Sequence, residues 1–436
     1  MREVRLEWPQ RPLAPPPPLP RDLQPGLHLP ATPLAGGSVR LVRGEALAVA
    51  DRLLGEGLAG QIDLVHLDPP FGSEANYARA RTLQIGSQNI DIELDAYGDT
   101  DGGDLAGYLE TLYPVLHRAW QLLSERGSIY VHLDFRRGPY VRMLLDEIFG
   151  ADNLVNEIIW AYGLGGSARG RFQRKHDVLY FYARDKKKMW FQAPREEATS
   201  SLLRGQPKQA TDIWRTPDRE DETRIERAWP DALVDKTLSN RDPERTGYPT
   251  QKPLALALRM VQASLPPGGM LLDLMAGSGT AGVAAALLGQ RATLGDRSDV
   301  AIDCARGRAV AAGAAVRCEA IGLQGLLAPL PGPPPARREG PIVALGELRL
   351  PWQEGAQPVL SSHNGRCGGD LLSAWGVGVR GTDGSFAVVG WWDGGAQRTR
   401  PNVPPSLTLP DAALAQEPLF WLGFDVLGRG WYAPLA

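Results

Sequence analysis

The sequence predicts an α/β fold built on a largely parallel sheet, with a small β-rich domain at its carboxyl end. Three observations carry this expectation. Short branched apolar runs alternate with helical stretches over residues 38–312, the pattern of strands joined by crossover helices. One run, Ile62-Asp63-Leu64-Val65-His66-Leu67, stops at Asp68-Pro69-Pro70-Phe71, and another, Met270–Leu274, stops at a glycine-rich turn. Open α/β sheets bind ligands outside the carboxyl ends of their strands, so both endings are candidate sites.

Residues 1–37 are rich in proline, with Pro15 to Pro18 in succession, and read as an extended arm outside the core. Val39–Val42 alternates like a strand and Ala46–Leu54 like a short helix. The Ile62–Leu67 strand ends because proline fixes φ and has no N–H to donate to a ladder. Residues 72–104 read as a long polar loop, with six carboxylates between Asp91 and Asp104 suggesting a solvated acidic surface. Leu105–Leu123 has helical periodicity, Gly127–Asp134 reads as a turn and buried strand, and Tyr140–Phe149 as a helix.

From Trp160 the character changes. Arg169, Arg171, Arg174, Lys175, Arg184 and Lys186 to Lys188 form the densest basic cluster, interleaved with Tyr162, Phe172, Tyr180, Phe181, Tyr182 and Trp190. That mixture suits phosphate contact combined with base stacking; a merely solvated basic surface is the competing reading. Residues 192–248 are polar and irregular apart from Asp212-Ile213-Trp214. A helix begins at Pro253, after Tyr248-Pro249-Thr250-Gln251-Lys252, and is stopped by Pro266-Pro267-Gly268-Gly269. Met270–Leu274, Thr280–Leu288, Arg291–Leu294 and Val300–Ala312 continue the alternation. Pro329–Pro335 reads as part of a linker, and residues 341–436 hold six of the twelve tryptophans and no lysine.

Composition narrows the classes. The 436 residues are 43% apolar and 22% charged, with no run long enough to span a membrane and no apolar signal core at the amino terminus. Cys304, Cys318 and Cys367 are too few and scattered for a disulfide framework or a zinc site, so no metal is expected and a reducing cytoplasm fits. A net charge of −3 means that any contact with nucleic acid needs a local basic surface.

The second ending, Asp273-Leu274-Met275-Ala276-Gly277-Ser278-Gly279-Thr280-Ala281-Gly282, is a GxGxxG between a strand and a helix, with Asp296 closing the next strand. It suits an adenosine-bearing cofactor, glycines for the turn and an acid for the ribose hydroxyls. No Gly-Lys-Ser/Thr follows, so it is not a P-loop. Two enzyme classes share this loop: an NAD-dependent oxidoreductase and a methyltransferase using S-adenosylmethionine. Asp68-Pro69-Pro70-Phe71 separates them. Hydride transfer has no use for a carboxylate, a carbonyl and a ring on a rigid corner. Methylation of an exocyclic amine does, because Asp68 and the Pro69 carbonyl can accept the amine hydrogens and aim its lone pair. Phe71 can then stack on a base that has left the duplex. His66 and His132, inside apolar strands, read as core residues.

The order of these motifs resembles the amino-methylating DNA methyltransferases of the β arrangement. The tetrad at Asp68 comes first, followed by GSIYVHLD at Gly127, EIIW at Glu157, HDVLYFY at His176, PTQKP at Pro249 and DLMAGSGT at Asp273. The resemblance covers roughly residues 38–310. It implies a Rossmann-like methyltransferase sheet with circularly permuted motif order, divided as 1–37 (N-terminal arm), 38–159 (catalytic half), 160–248 (target-recognition segment), 249–312 (cofactor half), 313–340 (linker) and 341–436 (accessory domain). Asp68, Pro69, Pro70 and Phe71 are then the catalytic tetrad. Asp273, Gly277, Ser278, Gly279 and Thr280 line the methionine part of S-adenosylmethionine, Asp296 takes its ribose, and Thr250 and Lys252, at a helix start, meet its carboxylate. Arg169, Arg171, Arg174 and Lys175 contact double-stranded DNA. The first-position aspartate leans toward N6 of adenine, with N4 of cytosine as the alternative. C5 methylation is disfavoured because no cysteine follows a proline. A cognate restriction endonuclease and a homodimer are the partner classes left open, and the expected location is the cytoplasm, at the nucleoid. Two positions depart from the family pattern: Met275, where phenylalanine is usual, and Gly44-Glu45, where Gly-Asp often stands.

Overall fold

The computed structural model describes residues 6–8, 11, 23–29, 37–72, 76–85, 88–99, 104–162, 169–197, 206–215, 238, 242–321, 327–332, 335–339, 341–345, 372–394, 399–400, 403–404, 406–410, 418–425 and 429–435. In chain order, β1 (Leu23–Leu29), β2 (Ser38–Arg43), α1 (Ala46–Gly55) and β3 (Ile62–Leu67) lead to the Asp68 corner. Then come β4 (Asn76–Ile85), β5 (Gln88–Gly98), α2 (Leu105–Leu122), β6 (Leu123–Leu133), α3 (Gly138–Phe149), β7 (Leu154–Ala161) and β8 (His176–Ala183). Three short strands, β9 (Arg195–Glu197), β10 (Pro207–Gln209) and β11 (Ile213–Arg215), precede α4 (Leu254–Ser264), β12 (Met270–Asp273), α5 (Thr280–Leu287), β13 (Arg291–Asp296), α6 (Asp299–Ala311) and β14 (Ala315–Ile321). The carboxyl-terminal part contributes β15 (Leu327–Pro329), β16 (Ala336–Glu339), β17 (Ile342–Leu345), β18 (Leu372–Arg380), β19 (Phe386–Asp393), β20 (Thr399–Arg400), β21 (Ser406–Thr408), β22 (Leu419–Asp425) and β23 (Gly430–Pro434). No described helix is long and apolar enough to cross a membrane.

The main sheet runs β11-β7-β8-β6-β3-β12-β13-β2-β14-β1-β19-β18-β22-β23-β15. From β6 to β14 all neighbours are parallel, whereas β8 pairs antiparallel with both β6 and β7. All six residues of β3 are buried, because helices cover both faces, which is why the strand reads as a continuous apolar run. On one face pack Val49 and Leu53 of α1, Leu112 and Leu116 of α2 and Leu144 of α3. On the other pack Leu256 and Met260 of α4, Ala284 and Ala285 of α5 and Ala305 of α6. α5 and α6 lack an apolar stripe because nearly every side of each is covered.

Three expectations change here. Residues 72–104 are not mainly a loop: β4 and β5 form an antiparallel hairpin from Asn76–Gly98 to Ile85–Gln88. Along β5, buried Ile92, Leu94 and Ala96 alternate with exposed Asp91, Glu93 and Asp95, a two-residue period. The opposite strand hides that pattern because its inward residues include Arg79 and Arg81, both fully buried. Second, part of the proline-rich arm is sheet. β1 lies between β14 and β19 with Leu27 completely buried. Its ladder shifts register between Gln24 and Leu27, and the irregularity accommodates the missing N–H of Pro25.

Third, β18, β19 and β22 continue the same sheet through β1 rather than forming a detached sheet. A third core joins them to the hairpin and α6, with Trp375 and Trp421 at 0% exposure. At its centre Asp303 of α6 receives Arg79 and Arg81 of β4 at 3.4 and 3.5 Å, Arg306 at 2.6 Å and the Ser373 hydroxyl of β18 at 2.7 Å. Arg306 also pairs with Asp393 of β19. The hairpin, α6 and the carboxyl-terminal strands are thereby tied to one buried carboxylate.

Candidate active site

Strand register brings the two sequence endings together. β3 and β12 are parallel neighbours with Val65 opposite Leu272 and His66 opposite Asp273, so the proline corner and the glycine loop leave the same sheet edge side by side. Between them opens a cleft of about 780 Å³ lined by Asp68 to Phe71, Tyr97, Asp99, Thr250, Lys252, Asp273, Gly277, Ser278, Thr280 and Asp296. Glu45 and Met275, the two departures from the family pattern, also line it. Its size is that of a small-molecule site.

The corner is held from several sides. Lys252 Nζ lies 2.5 Å from Asp68 Oδ2 and 5.2 Å from the centre of the Phe71 ring. Burial by itself would raise the Asp68 carboxyl, but the Lys252 ammonium outweighs burial and holds it below the usual carboxylate range. Asp68 therefore stays ionised and able to accept hydrogen bonds. Gly72, with φ at +66°, donates its N–H to Asp99 Oδ1 at 2.8 Å. A Cβ at this glycine would displace only the mobile end of the Arg137 side chain, so it is the left-handed backbone of the turn after Phe71 that calls for glycine. Beneath the site His66 Nδ1 meets Asp273 Oδ2 at 2.8 Å. Burial lowers this imidazole's pKa, but the Asp273 carboxylate more than reverses that, and the net shift is upward.

In the cofactor loop the glycines have different tasks. Gly277 has φ at +50°, lines the cleft, and gives its N–H to Asp296 Oδ2 at 2.9 Å. Gly279, expected to line the cofactor, is placed behind the wall. Its φ is +77° and an added Cβ would sit 2.6 Å from that of Ala305, so it serves helix packing. Ser298 N–H donates to Asp296 Oδ1 at 2.9 Å. Burial pushes the Asp296 carboxyl up to about 6 against these two hydrogen bonds, and the carboxylate's remaining lone pairs suit ribose hydroxyls. Arg308 of α6, which no sequence pattern marked, fastens the loop. Its Nη1 donates to Ser278 Oγ at 3.1 Å and Thr280 Oγ1 at 2.7 Å, and its Nη2 reaches Glu244 at 3.3 Å.

The start of α4 differs from expectation. Its Leu254 N–H donates to Glu244 Oε1 at 2.9 Å, so a carboxylate of the protein already occupies this end of the helix. Lys252 is engaged with Asp68. Thr250 alone among described non-glycine residues has positive φ, +53°, and its Oγ1 meets the Tyr97 hydroxyl at 2.9 Å. Such a conformation in a β-branched residue is strained and concentrates at functional sites. Tyr97 and Asp99 belong to the hairpin or its end, and the polar-loop reading concealed them.

Arg169, Arg171 and Arg174 are exposed and Lys175 is half-buried, on the segment entering β8. The Arg174 guanidinium stacks 3.6 Å from the centre of the Phe135 ring, which follows β6 at the same sheet edge, and Phe172 is 98% exposed. The structure thus brings Arg174 of this segment onto an aromatic side chain just past the strand that neighbours β3. The middle of the expected target-recognition segment, 216–237, lies outside the described residues.

A parallel α/β sheet with the Asp68-Pro69-Pro70-Phe71 corner beside a glycine loop is the arrangement expected of a methyltransferase, and the family comparison agrees. The chain belongs to the DNA methylase family, whose N6/N4 model matches residues 62–309, more than half of its length. Membership selects the methyltransferase reading of the glycine loop over the oxidoreductase reading. The chain is 27% identical over 158 residues to the type III restriction-modification enzyme EcoPI Mod subunit of Escherichia phage P1, a match covering 34% of this chain and 24% of the Mod subunit. It is 25% identical over 260 residues to the DNA adenine methyltransferase YhdJ of Escherichia coli K12, covering 58% of this chain and 76% of YhdJ. The chain thus spans about a quarter of the first relative and three quarters of the second. Among solved structures, the M1.HpyAVI–SAM complex aligns with a TM-score of 0.41 and 17% identity, over 62% of this chain and 98% of that one.

Proposed function

We propose that this chain transfers a methyl group from S-adenosylmethionine to an exocyclic amine of a base in double-stranded DNA, at N6 of adenine in preference to N4 of cytosine. The observation that carries the reading is the shared cleft, in which the ionised Asp68 corner and the Gly277–Asp296 loop leave adjacent parallel strands. The residues fit the cofactor: Asp296 presents free acceptor capacity for ribose hydroxyls, and Gly277 leaves the loop backbone uncovered on the cleft side. When bound, S-adenosylmethionine supplies an electrophilic methyl carbon on a sulfonium sulfur. Asp68 and the Pro69 carbonyl accept the two amine hydrogens and turn the nitrogen's lone pair out of conjugation with the base. Phe71 stacks on the base, which must leave the duplex to enter the cleft. Lys252 has to yield Asp68 Oδ2 as the amine arrives, since both are donors to the same oxygen.

In this reading residues 38–159 form the catalytic half, 249–312 the cofactor half, and 160–248 the segment that approaches DNA. The preference for adenine rests on the aspartate at the first position of the tetrad and on an adenine-modifying relative. With DNA as its substrate, the location proposed for the protein is the cytoplasm, at the nucleoid, and the restriction-modification relative makes a cognate endonuclease the partner class to seek. The test is mass spectrometry of nucleosides from DNA treated with protein and labelled cofactor. N6-methyladenine is expected; N4-methylcytosine would shift the assignment to the alternative, and no labelled nucleoside would end it.

Two further outcomes follow from the same roles. Asp296→Ala should weaken S-adenosylmethionine binding about tenfold or more, the size of a lost charge-assisted hydrogen bond. Because the ionised form accepts from the ribose, wild-type affinity should also fall as pH drops below about 6, and the variant should lose that dependence. Calorimetry with equal affinities at all pH values would remove the ribose role. Charge reversal at Arg171, Arg174 and Lys175 should weaken DNA binding and flatten its dependence on salt, by about one unit of slope for each phosphate no longer neutralised. An unchanged slope would move the DNA surface elsewhere.

A further inference from the structure

His132 lies under the catalytic corner and takes no part in the steps above. It is fully buried in β6, one position beyond Val131, which pairs with Leu67, the last residue of β3. Its Nδ1 is 3.7 Å from Asp68 Oδ1, and neither atom has a hydrogen-bond partner among the described residues. Its Nε2 is 3.3 Å from Asp177 Oδ2, and the Tyr162 hydroxyl donates to Asp177 Oδ1 at 3.1 Å. A carboxylate only accepts, so the neutral ring carries its proton on Nε2 and turns a bare Nδ1 toward another acceptor. Two buried acceptors facing each other are unfavourable until a proton enters between them.

Methylation releases such a proton. The target nitrogen enters with two hydrogens and leaves with one hydrogen and a methyl group; its lone pair forms the new N–C bond while the electron pair of the broken S–C bond stays on the departing sulfur, and the resulting cationic nitrogen must break one N–H bond to become neutral. We propose that His132 Nδ1 is the acceptor of this proton: Asp68 takes it from the nitrogen, turns about Cβ–Cγ, and passes it to His132, which holds it as an imidazolium between Asp68 and Asp177. Asp177, partly open to solvent, is the exit. The inference rests on the methyl-transfer reading and deepens it.

The surroundings suit the task. The titratable groups facing the ring are Asp68 after β3, Asp177 on β8 and Lys252 before α4, while Phe71 and Trp160 close other sides at 5.8 and 5.4 Å between ring centres. Burial first, and the Lys252 ammonium second, hold the imidazole below the ordinary histidine value although both carboxylates pull upward. The ring is therefore neutral and ready to accept at neutral pH. When Lys252 leaves Asp68, the balance shifts toward the imidazolium, so the arrival of the amine raises the ring's basicity when it is needed.

The experiment measures kcat against pH for the full-length wild type, His132→Gln and Asp177→Asn, with DNA and cofactor affinities and thermal melts alongside. In the wild type kcat should fall as pH drops below the ordinary histidine range, since a ring already protonated cannot accept. His132→Gln should lower kcat about 100-fold, leave both affinities unchanged and abolish that limb. Asp177→Asn keeps the ring and removes one carboxylate, so the limb should move to lower pH. Histidine-selective NMR of the protein alone, with only six histidines to assign, should show the same displacement of the His132 titration without turnover. A His132→Gln variant with wild-type kcat and pH profile, or an Asp177→Asn variant with an unmoved limb and titration, overturns the relay while leaving methyl transfer intact. A wild type that labels no nucleoside takes both down together.

Discussion

Asp68→Ala abolishes methyl transfer, with kcat falling about 10³-fold or more, while affinity for S-adenosylmethionine stays close to wild type. The size follows from what the carboxylate does. In the proposed reaction it is one of two acceptors that rehybridise a weakly nucleophilic amine, and the loss of one preorganised group that acts mainly in the transition state costs on the order of 10²–10³ in rate. Misalignment of the attacking nitrogen adds to that. The cofactor should be spared because the groups proposed to hold it, Gly277 and Asp296, lie on the other wall of the cleft. Labelled methyl reaching DNA at the wild-type rate in this variant would disprove the catalytic assignment. A parallel loss of cofactor affinity would show instead that Asp68 shapes the cofactor pocket.

The largest effect on stability is expected far from that corner. Asp303→Asn should destabilise the fold by about 3–5 kcal/mol, the range for removing one partner of a buried ion pair. Three buried guanidiniums converge on this carboxylate, at 3.4, 3.5 and 2.6 Å, and arginine cannot shed its charge to relieve the loss. Burial would raise the Asp303 carboxyl, but Arg306, Arg81 and Arg79 hold it lowered. A folded-state value below the unfolded one gives stability that is complete above the unfolded value, about 4, and is lost as pH falls through the folded one. The variant should therefore also show less acid-induced loss of stability than the wild type. Urea unfolding would check both points, and a change under about 1 kcal/mol would mean that the arginines find other partners. Because β4 leads through the hairpin to Tyr97 and Asp99, activity should fall in step with the hairpin's stability.

Much of the parallel core was legible because its strands are buried on both faces and its turns are marked by residues with unusual backbones. Ile62–Leu67 and Met270–Asp273 appear as apolar runs, and Pro69-Pro70 and Gly277 mark where each stops. The β4–β5 hairpin was missed because its inward face carries Arg79 and Arg81, and charge on a strand reads as solvent exposure until a buried counter-ion is known. That counter-ion, Asp303, is more than two hundred residues away. β1 was missed because Pro25 sits inside it, where only a shift of register lets a proline remain in a ladder. His132 reads as a core residue, and it is buried; its position between two carboxylates depends on the register of β3, β6 and β8.

By itself the sequence determined the fold class, the identity of both site segments and their order along the chain, since each is written in a few consecutive residues whose local conformation is forced by proline, glycine or burial. Only the tertiary structure decided which groups meet. Parallel pairing of β3 with β12 set the corner beside the cofactor loop, and pairing of β6 with β3 and β8 set His132 between Asp68 and Asp177. The packing around the start of α4 put Lys252 on Asp68 and Glu244 on the helix's first N–H, where a cofactor carboxylate was the expected occupant. Contacts between residues this far apart depend on strand order and register, and no local periodicity in a chain encodes either.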